Sequence, residues 1–500
     1  MADTLSPARI TVALIVALTL WRVAVLFGAP FDLSFDEAQY WGWAQDPSFG
    51  YFSKPPLIAW VIWLTTAIGG DAEPWVRLGA TLAHTATALV LFLVGRALFD
   101  ARTGMWTAVV YATLPAVSVS SLLISTDPFL LLFWSLALHA YIRALNASGV
   151  KWWALLGLWI GLGLLSKYAM VFFVVSMVLH LAWSARDRAW LRRAGPWLAT
   201  LIGVVVYLPN LWWNRTHGFA SYVHTGANAN LKSDLFNPGE LVEFLGSQFG
   251  VFGPLLFATL LVVVLVRLRP AARDPRLRLL LAFTLPVLGA ITVQAFLSRA
   301  NANWAATAYA AGTVLVVAWL RGHGCALGGR SLGDGAWRYV LHVSVALHLV
   351  AAGLAYNLDG IARLAGVELT AGTDPLKDMR GGAALGEQVR ALKAQHPDLT
   401  LLFDDRKLMA SMLYYARPVV FDAVMFRQTP GIQNHYELTT TLAGMEGRDF
   451  LLVARNDDVT VRAAFEHSEH LGDLRVEVHP GYARTAGIYR LTGYKGHAFP

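Results

Sequence analysis

Long apolar runs recur along the first 356 residues and then stop. They are readable at about 10–29, 75–97, 104–123, 128–145, 152–166, 169–184, 196–213, 246–266, 279–297, 304–320 and 338–356. At about 1.5 Å per residue, most can cross a hydrocarbon core of about 30 Å as a helix. The pattern therefore predicts a polytopic α-helical membrane protein with about eleven transmembrane helices. The stretch 56–70 is also apolar but too short to cross. Its Trp60 and Trp63 suit a headgroup boundary, so it reads as an interfacial or re-entrant helix. From about Leu358 the pattern changes: 399–403 reads as a strand, 406–415 as a helix, 418–421 as a second strand, and 450–454 and 487–491 as two more. The region 1–357 is thus expected to be a membrane domain with long outward loops at 30–74 and 214–245, and 358–500 a small soluble α/β domain. There is no internal repeat and no low-complexity tract.

Composition sharpens this. With 56% hydrophobic and 15% charged residues among 500, the chain has too little polar surface to coat soluble domains of that length. The formal charge of +7 does not point to nucleic acid, because the basic residues gather in short loops between apolar runs. With the N-terminus inside, one inward loop alone holds Arg267, Arg269, Arg273, Arg276 and Arg278, whereas the outward loops together hold Lys54, Arg77, Lys167, Arg215, Lys232 and Arg299. An odd number of spans then places 358–500 outside. The first run follows Arg9 as a signal peptide would, but its length and Pro30 just beyond it favour a retained span. The single cysteine, Cys325, cannot form an intramolecular disulfide, and no Cys/His cluster suggests zinc.

The first outward loop carries the most chemistry. In Leu33-Ser-Phe-Asp-Glu-Ala-Gln-Tyr-Trp-Gly-Trp43, Ser34 and Glu37 have the spacing of a capping box, so a short helix should begin there. On it Asp36, Tyr40 and Trp43 share a face, lining an acid up with two aromatics. Aromatic faces can pack on sugar rings while a carboxylate takes a hydroxyl proton, which makes Asp36 a candidate base; the bland reading leaves both acids as complements to the helix N-terminus. In Gly50-Tyr-Phe-Ser-Lys-Pro-Pro-Leu57, two prolines fix an extended backbone behind Lys54, which can meet a lipid phosphate or simply snorkel. In Ser125-Thr-Asp-Pro128, Asp127 reads as an N-cap with Pro128 at the first helical position, yet an acid at that depth is costly unless used. Lys167, His217, Arg215, Arg299, Asn301, Asn303 and Trp304 lie on the same outward side.

Taken in order, several segments resemble the GT-C glycosyltransferases of the protein-mannosyltransferase-like superfamily, which includes the bacterial aminoarabinose transferases of lipid A. They are Phe35-Asp-Glu-Ala-Gln-Tyr-Trp41, Gly50-Tyr-Phe-Ser-Lys-Pro-Pro-Leu-Ile58, Ser125-Thr-Asp-Pro128, Gly163-Leu-Leu-Ser-Lys-Tyr168, Pro209-Asn-Leu-Trp-Trp-Asn214 with His217-Gly218, and Asn303-Trp304. The resemblance implies a bacterial inner-membrane enzyme that moves a sugar from a polyprenyl-phosphate donor to a lipopolysaccharide, lipid A or other glycan acceptor at the periplasmic face, with inversion. The Asp36-Glu37 pair looks like the family's catalytic acidic motif and Lys54 like its phosphate-facing lysine; Lys167 and Arg299 are further candidate cations for the donor phosphate, and Tyr40, Trp43, Tyr51, Asp127, His217, Asn303 and Trp304 are candidate substrate contacts. A divalent metal stays open, with Asp36 and Glu37 as its ligands if one is held. No GxGxxG or P-loop is present, so no nucleotide cofactor is expected. One departure is Ser53, where the aminoarabinose transferases tend to have an acid before the lysine; it argues against a metal there and against aminoarabinose as the donor sugar. The rival reading is a transporter or flippase for a lipid-linked sugar, although transporters place charges near the midplane and these polar motifs gather on one side.

Overall fold

A computed structural model describes residues 6–146, 149–231, 235–269, 271, 273–323, 326–327, 330–331, 334–455 and 459–496. Lys232, Cys325 and the C-terminal Pro500 lie outside the described residues. The chain forms two compact units. One joins Met1–Gly28, Lys54–Ile58 and Arg77–Asn357; the other joins Ala29–Ser53, Ala59–Val76 and Leu358–Pro500.

The first unit is helical. Among the described residues six helices are long and apolar enough to cross a membrane: Pro7–Gly28, Glu73–Leu98, Asp127–Asn146, Ala194–Thr216, Pro275–Leu297 and Tyr339–Tyr356. Apolar side chains remain exposed on them, as on Ala194–Thr216 with Leu201, Val205 and Trp212. Two expected spans are broken. The run 104–123 divides into Ala101–Thr113 and Pro115–Ser120, because Pro115 has no N–H to offer and disfavours helical geometry at Leu114. The run 246–266 becomes Pro238–Val251 and Pro254–Arg267, bent by 114°. At that bend Gly253 has φ +87°, and a Cβ on it would lie 2.0 Å from His348 Nε2. The runs 152–166, 169–184 and 304–320 form the shorter apolar helices Val150–Ser166, Tyr168–Trp183 and Ala308–Leu320. Val150–Ser166 packs closely on Ala194–Thr216 because Gly157 carries no Cβ, which would otherwise sit 2.4 Å from the Ala199 carbonyl. Trp134, Phe173 and Phe283 fill the interior, Trp134 meeting Phe173 edge-on at 5.1 Å.

The second unit is α/β. Its five-stranded sheet runs in the order 424–425, 400–403, 450–454, 482–494, 465–479, parallel among the first three and antiparallel beyond. The helix Arg406–Tyr415 falls where expected. The strand expected at 418–421 does not form: Pro418 cannot donate to a ladder, and pairing passes to Val424–Met425. Phe465–His479 is a strand that its mostly polar pattern does not announce. It forms by long antiparallel pairing with Tyr482–Tyr494 across a turn at Gly481, φ +75°. Most of the loop 30–74 belongs to this unit, Lys54–Ile58 excepted. Its helix Phe35–Gln45 packs on Arg406–Tyr415, with Trp41 edge-on to Tyr414 at 5.0 Å, and the Leu33 N–H donates to the Tyr415 hydroxyl at 2.5 Å. Asp71 ties the same loop down, accepting from Trp41 Nε1 at 2.7 Å through its carboxylate and from the Tyr414 hydroxyl through its carbonyl.

Candidate functional site

In the second unit the site begins with the cap of Phe35–Gln45. Ser34 Oγ accepts from the Glu37 N–H at 3.3 Å, and the Glu37 carboxylate accepts from the Ser34 N–H at 2.9 Å, closing the expected capping box. Glu37 is thereby engaged and buried at 2% exposure. Asp36 points elsewhere. Its side chain is 49% exposed and meets Arg406 at 3.4 Å, while Arg406 also donates to Gln39 Oε1 at 2.8 Å. Of the two acids, Asp36 is the one a substrate can reach. Arg406 lies 370 residues away in sequence, and no local pattern marked it.

Tyr40 and Trp43 do share a face with Asp36, their rings 5.1 Å apart. Trp43 is also stacked on Tyr51 at 4.6 Å and 4°, with His435 edge-on to Trp43 at 5.4 Å and to Tyr51 at 5.8 Å. The Tyr51 hydroxyl donates to the Trp43 carbonyl at 2.9 Å. Both rings are buried and face one another, so they brace the Asp36 helix and leave little ring surface for a sugar. Burial pushes the His435 imidazole down to about 3, which keeps it neutral at ordinary pH.

In the first unit three residues from separate motifs meet. Lys167 Nζ donates to one Asp127 oxygen at 2.7 Å and Asn303 Nδ2 to the other at 2.9 Å. Asp127 is therefore not the expected N-cap: it is the first residue of its helix, and both carboxylate oxygens are taken by distant side chains. Beside Lys167, the Tyr168 hydroxyl donates to Asn210 Oδ1 at 3.3 Å and accepts from Asn214 Nδ2 at 3.4 Å. Both asparagines are fully buried, a role their motif did not single out. Trp304 sits half-buried in the turn Ala302–Ala305. His217 is stacked on Trp213 at 4.1 Å and donates to its carbonyl, and Arg299 has an exposed side chain. Lys54 is half-buried, followed at once by its two prolines.

The acids of the first loop are a poor donor set for a resident metal. Asp36 is paired with Arg406 and Glu37 with the Ser34 backbone, and among the described residues no three His, Cys, Asp or Glu side chains gather.

A profile described as dolichyl-phosphate-mannose-protein mannosyltransferase matches residues 53–213. Over 484 residues the chain is 34% identical to the lipid A galacturonosyltransferase RgtD of Rhizobium johnstonii, covering 96% of this chain and 97% of that one. Over 166 residues, 32% of this chain and 30% of the other, it is 31% identical to the undecaprenyl phosphate-α-4-amino-4-deoxy-L-arabinose arabinosyl transferase of Pseudomonas paraeruginosa. Its fold is similar to that of ArnT from Cupriavidus metallidurans bound to undecaprenyl phosphate, with a TM-score of 0.62, 15% identity and 98% of each chain covered. The chain belongs to the GT-C glycosyltransferases of the protein-mannosyltransferase and aminoarabinose-transferase-like superfamily. It is an integral membrane glycosyltransferase.

Proposed function

We propose that this enzyme transfers a hexuronic acid, galacturonate in the first instance, from a polyprenyl-phosphate donor to lipid A or another lipopolysaccharide sugar. The observation that carries this reading is the likeness to RgtD along almost the whole chain, against a likeness to the aminoarabinose transferases along a third of it. The undecaprenyl phosphate held by the similar ArnT fold supports the donor class. In the reaction an acceptor hydroxyl attacks the anomeric carbon, its proton passes to Asp36, the bond to the phosphate oxygen breaks, polyprenyl phosphate leaves, and the anomeric carbon is inverted. A hydroxyl is a weak nucleophile at neutral pH, so a positioned carboxylate is needed. The leaving phosphate gains negative charge as the bond breaks, and Lys54, Lys167 and Arg299 are the cations assigned to stabilise it, which favours the transition state over the bound donor. Lys167 does this while anchored to Asp127. A donor of this kind needs no nucleotide cofactor.

The reaction is proposed at the periplasmic face of a bacterial inner membrane, as the Lys/Arg asymmetry supports. Purified protein given polyprenyl-phosphate galacturonate and lipid A should release free polyprenyl phosphate and add one hexuronate to the acceptor. Movement of the donor across a vesicle membrane without transfer would favour the flippase reading instead. An alkaline phosphatase fused to the C-terminus should be active in a bacterial host; an inactive fusion would reverse the orientation.

A further inference from the structure

The second unit contains a recess of about 400 Å³ whose wall starts one residue before Asp36, at Phe35. That volume lies within the range of about 300–1,000 Å³ typical of small-ligand sites. Three cationic side chains line it, Lys407, Arg455 and Arg484, against one carboxylate, Asp378. Asp378 is already engaged: its carboxylate accepts from the Tyr482 hydroxyl at 2.8 Å, and Arg484 donates to its backbone carbonyl. Arg455 is partly neutralised by Asp405 at 3.3 Å. Neither Lys407 nor Arg484 has a carboxylate partner within ion-pair distance among the described residues. The Lys407 ammonium rests 4.7 Å over the Phe35 ring, whose surroundings also include the Arg406 guanidinium that holds Asp36. The recess therefore combines surplus positive charge with hydroxyls from Ser411 and Tyr482, a lining suited to an anionic group carried on a sugar.

We propose that this recess is an acceptor subsite: it binds a phosphate or a sugar carboxylate on the acceptor's saccharide headgroup and so brings the neighbouring hydroxyl under the control of Asp36. The proposal rests on the lipopolysaccharide acceptor named above and adds the part of it that is recognised. Lys407 and Arg484 act on affinity for the acceptor, and neither takes part in the bond-making step.

The test separates binding from turnover. Full-length protein would be titrated calorimetrically with three soluble glucosamine disaccharides, one phosphorylated, one carrying a carboxylate sugar and one neutral. One or both anionic forms should bind and the neutral form should not, and the preferred anion identifies the group recognised. Lys407→Ala should weaken binding on the order of tenfold, as loss of a charged contact does, and Lys407→Glu should abolish it. Lys407→Arg should restore it. Lys407 is exposed, so these variants should fold; Arg484→Gln gives an independent second reading. In transfer assays with the matching lipid acceptors, KM should rise and kcat should hold. Equal binding of the neutral disaccharide, or indifference to both Lys407→Glu and Arg484→Gln, overturns the subsite even if transfer occurs. Charge-dependent binding without transfer to any acceptor upholds the subsite and overturns the proposed reaction.

Discussion

Lys167 and Asp127, forty residues apart in sequence, are bonded at 2.7 Å with side chains only 21% and 13% exposed. Removing one member of a largely buried pair leaves the other charge uncompensated, at a cost of about 3–5 kcal/mol. Lys167→Ala should therefore lower the melting temperature in detergent markedly, and adding Asp127→Asn should recover most of the loss. If single and double variants melt alike, the two residues are not coupled.

The two first-loop carboxylates should separate cleanly. Asp36→Asn removes the proposed base and should cost about 10² to 10⁴ in transfer rate. Glu37→Gln keeps a side chain that can close the same capping box, so transfer should stay near wild type. Both variants should elute as folded protein on size exclusion. An active Asp36→Asn with an inactive Glu37→Gln would exchange their roles, and rescue of Asp36→Asn by divalent ions would point to metal binding.

Lys54 is assigned to the donor phosphate. Lys54→Ala should lower turnover by about 10² to 10³, as loss of one preorganised transition-state contact does, with little effect on melting. Near-normal turnover in a folded variant would reduce Lys54 to an interfacial anchor.

His435 makes the second unit sensitive to acid. Its folded-state pKa, lowered by burial to about 3, lies well below the ordinary value of about 6.5. As pH falls, the unfolded chain takes up the proton first. The stabilisation is thus complete above about pH 6.5 and is lost progressively toward pH 3, at up to about 1.4 kcal/mol per pH unit. Thermal melts between about pH 7.5 and 5 should show this slope, and His435→Phe should flatten it. An unchanged slope in that variant would assign the acid sensitivity to other groups.

Much of the architecture was legible along the chain. Apolar runs find spans because a helix satisfies its own backbone bonds and needs only length and hydrophobicity to cross lipid. The Ser34 to Glu37 cap was legible for a similar reason: both of its hydrogen bonds close within four residues. The breaks at Pro115 and Gly253 are equally local causes, but a count of apolar residues passes over them.

What the linear pattern could not contain is the choice of distant partner. Asp127 read as a cap because Pro128 follows it, and only folding brought Lys167 and Asn303 to its carboxylate. The capping spacing already separated Glu37 from Asp36, but only tertiary packing set Arg406 against Asp36. Trp43 and Tyr51, each a plausible sugar platform alone, turned out to cover one another. The polar strand Phe465–His479 likewise owes its form to pairing with Tyr482–Tyr494. Residue types and local spacing therefore determined that this is a polytopic membrane protein, and the order of its loop motifs carried the resemblance to membrane glycosyltransferases. Which carboxylate remains accessible, which lysine is anchored and where surplus positive charge collects were decided by contacts between residues far apart in the chain, whose energies depend on distance in space and leave no periodic trace in sequence.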